Sequence, residues 1–151
     1  MTNEELKIKL TEIIPSATFE EGGEWLTLNV EAPDWKSISH QLYSNESFTF
    51  NYLFCLTCID WQTHLTMVYH FSSTIHRHTV VIKSKLDREN PEIETVSDTW
   101  RTAEFHEREV YDLFGVKFLN HPDLRRLFMT DEWVGWPLRK DYDDPVNMIK
   151  L

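Results

Sequence analysis

The chain lacks the glycine patterns, the cysteine content and the long apolar runs that mark several large protein classes. Only four of its 151 residues are glycine, and none belongs to the spaced pattern of a nucleotide-binding loop or a hydrolase nucleophile turn. Two cysteines are too few for a disulfide framework. No stretch approaches the roughly 20 apolar residues of a membrane span, and the polar start is unlike a secretory signal. The sequence therefore favours a cytosolic protein that binds no nucleotide.

Basic side chains are also scarce. The chain has 15 Lys and Arg residues against 25 Asp and Glu residues, a formal net charge of -10. Nucleic acid or an anionic lipid surface would repel most of such a chain, so neither is expected as a partner. Hydrophobic residues make up 41% of the chain and aromatic residues 13%, which is enough for one buried core in a single domain.

Apolar periodicity predicts an α+β fold in which helices pack on an antiparallel or mixed sheet. Apolar residues at helical spacing, with capping and terminating residues beside them, predict three helices. Their ranges are 3–14, 33–45 and 96–114, the last with a break near 100–102. Alternating apolar residues predict a hairpin around Gly22 and Gly23 and then three antiparallel strands. These strands are predicted at 52–60, 64–71 and 76–86.

The last thirty residues follow no regular period, although they include Phe128, Trp133, Trp136 and Leu138. A segment of this length without secondary structure is longer than a compact domain normally carries. Aromatic residues and arginine are typical of interface cores, and no partner for them within the chain is evident from the sequence. The sequence therefore predicts a self-sufficient globular domain at 1–120 and an extended C-terminal arm at 121–151 that docks on a partner subunit.

Cys55 and Cys58 form a C-x-x-C pair, which in other proteins supplies redox or metal chemistry. Here the pair falls within a strand-like run, where positions three apart face opposite ways, and no second pair supplies the remaining metal ligands. Buried structural cysteines are the favoured interpretation. His76 and His78 could likewise offer two metal ligands, but Arg77 between them opposes a cation and no third ligand is evident, so ordinary histidines are favoured.

A cluster of charges on the third predicted helix has two interpretations. Glu104, Glu107, Arg108, Glu109 and Asp112 could include a carboxylic acid that shuttles protons. Alternatively, Glu104 with Arg108 and Arg108 with Asp112 are spaced as ion pairs of an exposed helix. A matching guanidinium beside the carboxylates favours a structural network or docking face over catalysis.

Three stretches resemble, in order and spacing, the signature of the C subunit of the proton-pumping NADH-quinone oxidoreductase, the 30 kDa subunit of complex I. They are EREVYDLFG from Glu107, HPDLRRL from His121 and GWPLRKDY from Gly135. The runs YLFCLTCIDW and MVYHFSS are also similar, so the resemblance covers roughly residues 50–142. The chain departs at Phe128, where an aliphatic residue is usual, and at Trp136, where a small polar residue or histidine is common.

The resemblance implies an α+β subunit of the peripheral arm that contacts the D subunit, with a C-terminal segment wrapped on that neighbour. It implies no catalytic residue and no flavin, cluster or metal in this chain. NADH, FMN, iron-sulfur clusters and quinone belong to the whole complex, which acts as an NADH:quinone oxidoreductase and translocase. The residues that it implies at the partner interface are Glu107, Arg108, Glu109, Asp112, His121, Arg125, Arg126, Trp133, Arg139 and Lys140.

The same resemblance implies a peripheral place on the cytoplasmic side of the bacterial inner membrane. Because the chain ends soon after the third stretch, a free subunit is expected and a fusion of the C and D subunits is not. The nearest alternative is the equivalent subunit of a membrane-bound hydrogenase or formate hydrogenlyase. A stand-alone enzyme using the charged cluster and a thiol redox module are alternatives of a different kind.

Overall fold

The computed structural model describes residues 1–149. Among them are three α-helices, a short 3-10 helix and seven strands. The α-helices are α1 (Asn3–Ile13), α2 (Trp35–Ser44) and α3 (Ala103–Phe114), and the 3-10 helix at Ala32–Asp34 precedes α2. The strands are β1 (Thr18–Glu20), β2 (Leu26–Asn29), β3 (Tyr52–Asp60), β4 (His64–Ser72), β5 (Thr79–Asp87), β6 (Glu92–Glu94) and β7 (Lys117–Leu119).

Five strands form one mixed sheet in the order β1-β2-β5-β4-β3. Strands β3, β4 and β5 form the predicted antiparallel meander, and β1 with β2 forms the predicted hairpin. Strand β2 joins β5 in parallel, which requires the intervening chain to cross over before β5 begins. A separate parallel pair, β6 with β7, follows. The α+β prediction with an antiparallel or mixed sheet is confirmed.

All three α-helices contribute side chains to one hydrophobic core on the inner face of the sheet. The ring of Trp35 from α2 lies 4.5 Å from that of Tyr69, centroid to centroid, and Trp100 lies 4.6 Å from Phe71. The inner face consists of alternate strand residues that are almost fully buried. They include Leu28, Leu53, Leu65, Met67, Tyr69, Phe71, Val80 and Ile82. This alternation is what the period of the sequence predicted.

The predicted third helix is too long at its start. Helix α3 begins at Ala103, and the preceding residues form the short strand β6 and turns. Strands β6 and β7 were not predicted, since three residues are too few to show a period. Strand β5 begins at Thr79 and not at His76, because Arg77 has a φ of 55° in the turn that precedes the strand.

Residues 120–149 contain no helix or strand, and much of this stretch lies against the rest of the chain. The backbone N–H of Leu138 donates to the carbonyl of Leu113 at 3.0 Å. The guanidinium of Arg139 donates to the carbonyl of Phe114 at 2.7 Å. The expectation that the arginines and aromatics of this segment have no partner within the chain is therefore wrong. We call residues 121–149 the C-terminal segment; its docking on another subunit remains a prediction.

Candidate functional site

Helix α3 turns three of its charged side chains towards its own chain. Glu107 and Asp112 are fully buried, and Arg108 is almost so. Arg108 donates through Nε and Nη2 to the carbonyls of Arg125 and Arg126, both at 3.2 Å. The expected exposed helix, with its ion pairs at four-residue spacing, is therefore wrong. Arg108 and Asp112 bind the C-terminal segment where it returns over the helix.

The carboxylate of Asp112 organises the start of the C-terminal segment. Its Oδ2 accepts the backbone N–H groups of Leu127, Phe128 and Met129 at 3.1, 2.6 and 3.0 Å. Burial alone would raise the pKa of Asp112, but the N–H groups of Met129 and Phe128, with Arg126 and Leu127, outweigh burial and lower that pKa. Asp112 thus stays ionised inside the protein and fixes a turn of backbone.

Arg126 joins helix α3 to two later parts of the segment. Its Nη1 donates to the Asp112 side chain and carbonyl, both at 3.0 Å, and its Nη2 donates to the carbonyls of Trp133 and Gly135 at 2.9 and 3.0 Å. The guanidinium also lies 4.6 Å from the ring centroid of Trp136. One side chain therefore closes the loop between residues 126 and 136.

Gly115 ends α3 and lies against the ring of Trp136. Its φ of 77° is in the left-handed region, and its N–H donates to the carbonyl of Tyr111 at 2.9 Å. A Cβ at this position would lie 2.5 Å from Cε2 of Trp136. The position therefore requires glycine for its backbone conformation and for the close approach of the indole.

A second buried carboxylate, Asp60 at the end of β3, binds residues near the third signature stretch. Arg88 donates to Asp60 through Nε and Nη2 at 3.1 and 2.9 Å, and to Asp141 at 3.1 and 2.8 Å. The N–H of Lys140 also donates to Asp60, at 2.8 Å. The guanidinium of Arg88 holds the pKa of Asp60 well below its ordinary value, against the effect of burial. Asp60 and Arg88 were not predicted as site residues, because their only sequence signal is a single charge where each of two apolar strands, β3 and β5, ends.

The third buried carboxyl group, Glu107, lies beside a buried histidine. Its two oxygens accept the N–H of Val96, at 2.8 Å, and the hydroxyl of Thr95. Nε2 of His121 lies 3.6 Å from Oε2 of Glu107, and the side chains of both are fully buried. Burial raises the pKa of Glu107 from its ordinary 4.5 to about 7, although the two hydrogen bonds oppose this. Glu107 is a group that can gain or lose a proton near neutral pH.

His121 is held at the start of the C-terminal segment by two backbone groups. Nδ1 lies 3.0 Å from the N–H of Asp123 and accepts its proton, which assigns the ring proton to Nε2. Nε2 then donates to the carbonyl of Glu104 at 3.0 Å. In this tautomer the imidazole is neutral, and both nitrogens serve to position backbone.

The other predicted interface residues lie nearer the surface. The indole N–H of Trp133 donates to the hydroxyl of Tyr142 at 3.1 Å. Arg125 is exposed and pairs with Asp123 at 2.9 Å, and Glu109 is exposed on α3. Lys140 lies 5.9 Å from the ring centroid of Trp61. The structure brings most of the ten predicted residues together around α3 and the C-terminal segment; their contact with a partner remains a prediction.

The cysteine and histidine pairs are built into the sheet and its turn. Cys55 and Cys58 are free thiols on β3, as the strand interpretation expects, but only Cys58 is buried and Cys55 is partly exposed. Burial raises the pKa of Cys58 to about 12. The rings of His76 and His78 stack with centroids 5.6 Å apart. Within residues 1–149, no group of three or more histidine, cysteine or acidic side chains is placed to hold a metal ion. None of the helices described there has the length and apolar character to cross a bilayer.

Comparison with known proteins identifies relatives along most of the chain. Residues 28–146 match the family described as the respiratory-chain NADH dehydrogenase 30 kDa subunit. The chain is 44% identical over 124 residues to the NADH-quinone oxidoreductase C/D subunit of Phocaeicola vulgatus, which covers 81% of this chain and 24% of that protein. It is 40% identical over 116 residues to the NADH-quinone oxidoreductase C subunit of Chloroherpeton thalassium, covering 76% and 48%.

A plant relative and two solved structures extend the comparison. The chain is 40% identical over 125 residues to the chloroplastic NAD(P)H-quinone oxidoreductase J subunit of Marchantia polymorpha, covering 79% of this chain and 72% of that protein. A trypsin-resistant fragment of Nqo5 superposes with a TM-score of 0.68 at 26% identity, covering 82% of this chain and all of the fragment. The archaeal membrane-bound sulfane sulfur reductase, at 24% identity and a TM-score of 0.74 over 93% of this chain and 85% of the other, shares the fold. The chain spans about a quarter and about half of the two bacterial relatives.

Proposed function

The chain belongs to the family of the 30 kDa subunit of the respiratory-chain NADH dehydrogenase, and from this membership we propose that it is a peripheral-arm subunit of a proton-pumping NADH-quinone oxidoreductase. It binds no cofactor itself and has no catalytic residue. It supports electron transfer from NADH to quinone by holding neighbouring subunits in place, while NADH, FMN, iron-sulfur clusters and quinone are bound elsewhere in the complex. Its place is peripheral, on the cytoplasmic side of the bacterial inner membrane.

The observation that carries this proposal is the internal order of the C-terminal segment. The three signature stretches build one unit, in which Asp112 and Arg126 join the first to the second and Arg139 joins the third to the end of α3. Buried ion pairs contribute little net stability compared with apolar packing, so the main effect of these buried charges is to fix the conformation of an irregular segment. A fixed irregular surface suits a docking role.

The proposed direct neighbour is the D subunit. The Phocaeicola vulgatus relative is named as a C/D subunit, which supports a C-like and a D-like part lying side by side in such complexes. The ion-pair network of α3 favours a docking role over catalysis as well, since Asp112 stays ionised and bound on both oxygens. Glu107 has no exposed surface through which a substrate could reach it.

Co-expression tests this proposal. The tagged chain is produced with the D subunit encoded in the same genome, and the affinity-purified material is analysed by size exclusion and mass. A complex of one chain with one D subunit is the expected result, and the same tag should recover NADH-quinone activity from membranes. Recovery of the chain alone, from cells in which the D subunit is soluble and abundant, would contradict the proposal.

The alternative is the equivalent subunit of a membrane-bound hydrogenase or formate hydrogenlyase. What supports it is the likeness of fold to a different membrane complex, the sulfane sulfur reductase. Identities of 40–44% to NADH-quinone oxidoreductase subunits favour the first proposal. Assays of the complex purified from membranes through the tag would distinguish the two, since a hydrogenase assembly evolves or consumes hydrogen and does not oxidise NADH.

A further inference from the structure

We infer that the C-terminal segment has two functionally distinct sides, and that its outward side docks on a surface of the D subunit that is apolar and rimmed by lysine or arginine. This inference rests on the proposed function and adds to it the residues and the chemistry of the contact. The inward side holds the segment on its own chain. The outward side carries exposed apolar and acidic side chains.

The inward side is made of the segment's basic and indole groups. Arg126 and Arg139 donate to carbonyl groups of α3 and to Asp112, and Trp136 lies against Gly115 and Arg126. Both arginines are among the residues predicted to contact the partner subunit. Because both arginines bond to their own chain, replacing either of them should first destabilise the conformation of the C-terminal segment.

The outward side concentrates exposed apolar surface. Of fourteen large hydrophobic side chains that are exposed within residues 1–149, six lie between 128 and 149. They are Phe128, Val134, Leu138, Val146, Met148 and Ile149. Val134 and Val146 are each 87% exposed. A single exposed apolar residue is ordinary, but a concentration on one segment marks a surface that another protein covers.

The inward bonds prepare the outward side for binding. An irregular segment free in solution would lose conformational entropy on docking, and this loss weakens binding. Three N–H groups bound to Asp112 fix the backbone at Leu127–Met129 next to the exposed ring of Phe128. Arg126 fixes the carbonyls on either side of Val134. The exposed apolar side chains are therefore presented on backbone that is already ordered.

Charge decides which surface can cover them. Asp131 and Glu132 are exposed beside Val134. Of the segment's four basic side chains, Arg126 and Arg139 point inward, Arg125 is paired with Asp123, and the exposed Lys140 lies over the ring of Trp61 on the body. The outward side is therefore apolar with negative charge beside it. A second copy of this chain, with a net charge of -10, is opposed by like charge, and so are nucleic acid and anionic lipid. A protein surface with an apolar centre and a basic rim is complementary.

Two matched double variants test the inference with the D subunit as the probe. Val134→Asp with Val146→Asp adds two charges to the outward side. Ile8→Asp with Ile75→Asp adds the same charges at apolar positions on the body that are 63% and 65% exposed. Binding to the D subunit is measured by titration, and thermal melting of each isolated chain checks its fold.

The outward variant should bind about thirtyfold more weakly, as expected for loss of a central contact, with an unchanged melting temperature. The body variant should bind as the parent does.

A charge reversal tests the basic rim separately. Asp131→Lys with Glu132→Lys should weaken binding at low salt, and the weakening should fade as salt screens the charges. If the parent and the outward variant bind the D subunit equally well, the inference is wrong and the proposed function is unaffected. The inference is also wrong if the body variant loses as much affinity as the outward variant does. If the parent chain does not bind the D subunit, both the inference and the proposed function are wrong. Should the outward variant melt early, Val134→Ser replaces it, since a nearly fully exposed serine leaves the fold intact.

Discussion

Asp112 and Arg126 are bound to each other at 3.0 Å across the boundary between helix α3 and the C-terminal segment. Neither charge faces water: Asp112 is fully buried, and the guanidinium of Arg126 is also bound by the carbonyls of Trp133 and Gly135. The pair therefore couples the folding of the body to the conformation of the segment that we propose docks on the D subunit.

Replacement of Asp112 by alanine should destabilise the isolated chain strongly. It leaves three backbone N–H groups and the Arg126 guanidinium without their acceptor, a loss of about 3 to 5 kcal/mol for a broken buried pair. Urea denaturation measures the free energy of unfolding. Asp123→Ala, which removes an exposed pair with Arg125, is the matched control and should leave stability unchanged. Similar stabilities for both variants would show that the segment contributes little to the fold.

Gly115→Ala should destabilise the chain by more than Gly22→Ala does. Both glycines have positive φ, so each substitution costs about 1 kcal/mol in backbone strain, but a Cβ at Gly22 meets open space. A Cβ at Gly115 meets the ring of Trp136. In a Trp136→Ala background the excess cost at Gly115 should disappear, as a double-mutant cycle of melting curves would report. If the excess destabilisation persists in that background, its cause is the backbone conformation of Gly115 and not contact with the Trp136 ring.

Stability should depend on pH through Glu107. The pKa of Glu107 is about 7 in the folded chain and near 4.5 when unfolded, so the folded state binds the proton more tightly. The resulting stabilisation is fully present below pH 4.5 and is lost as pH rises through 7, a change of about 3 kcal/mol. Glu107→Gln cannot ionise, and its stability relative to the parent should increase between pH 5 and 8.

Urea denaturation of both chains at several pH values in that range measures the effect. The ionisable groups that face Glu107 are His121, Lys36 and Asp98, and all three are retained in the variant. Thr95 and Val96 still have a side-chain amide to bond. Two stability curves that run parallel from pH 5 to 8 would contradict a raised pKa at Glu107.

Two truncations separate the inward contacts from the distal end. A chain ending at Tyr142 keeps the bonds of Arg126, Arg139 and Asp141 to the body, and it should melt like the full chain. A chain ending at residue 120 leaves Asp112 without its partners, and it should melt at a clearly lower temperature, although the predicted globular domain at 1–120 contains the core. Equal melting of the two truncated chains would establish 1–120 as self-sufficient.

Sequence alone determined the elements whose signals are local. Helix α1 begins at residue 3 as predicted, because its capping box, formed by Thr2 and Glu5, makes both of its bonds within four residues. Strands β3, β4 and most of β5 follow their alternation, and Gly115 ends α3 in the left-handed conformation. The three signature stretches were likewise enough to predict the family, which the comparisons confirmed.

Tertiary structure decided where the charges lie. Glu107, Arg108 and Asp112 have the spacing of charges on an exposed helix. Exposure is the expected reading of such a spacing, because a charged side chain is more stable in water than in an apolar interior. Arg108 and Asp112 are buried because the C-terminal segment returns with N–H groups, carbonyls and Arg126 as partners, and Glu107 is buried with Thr95 and Val96 as its donors. Asp60 and Arg88 meet Lys140 and Asp141 across a large separation along the chain. No local sequence period predicts such contacts, because a buried charge is stabilised by groups that only the completed fold brings beside it.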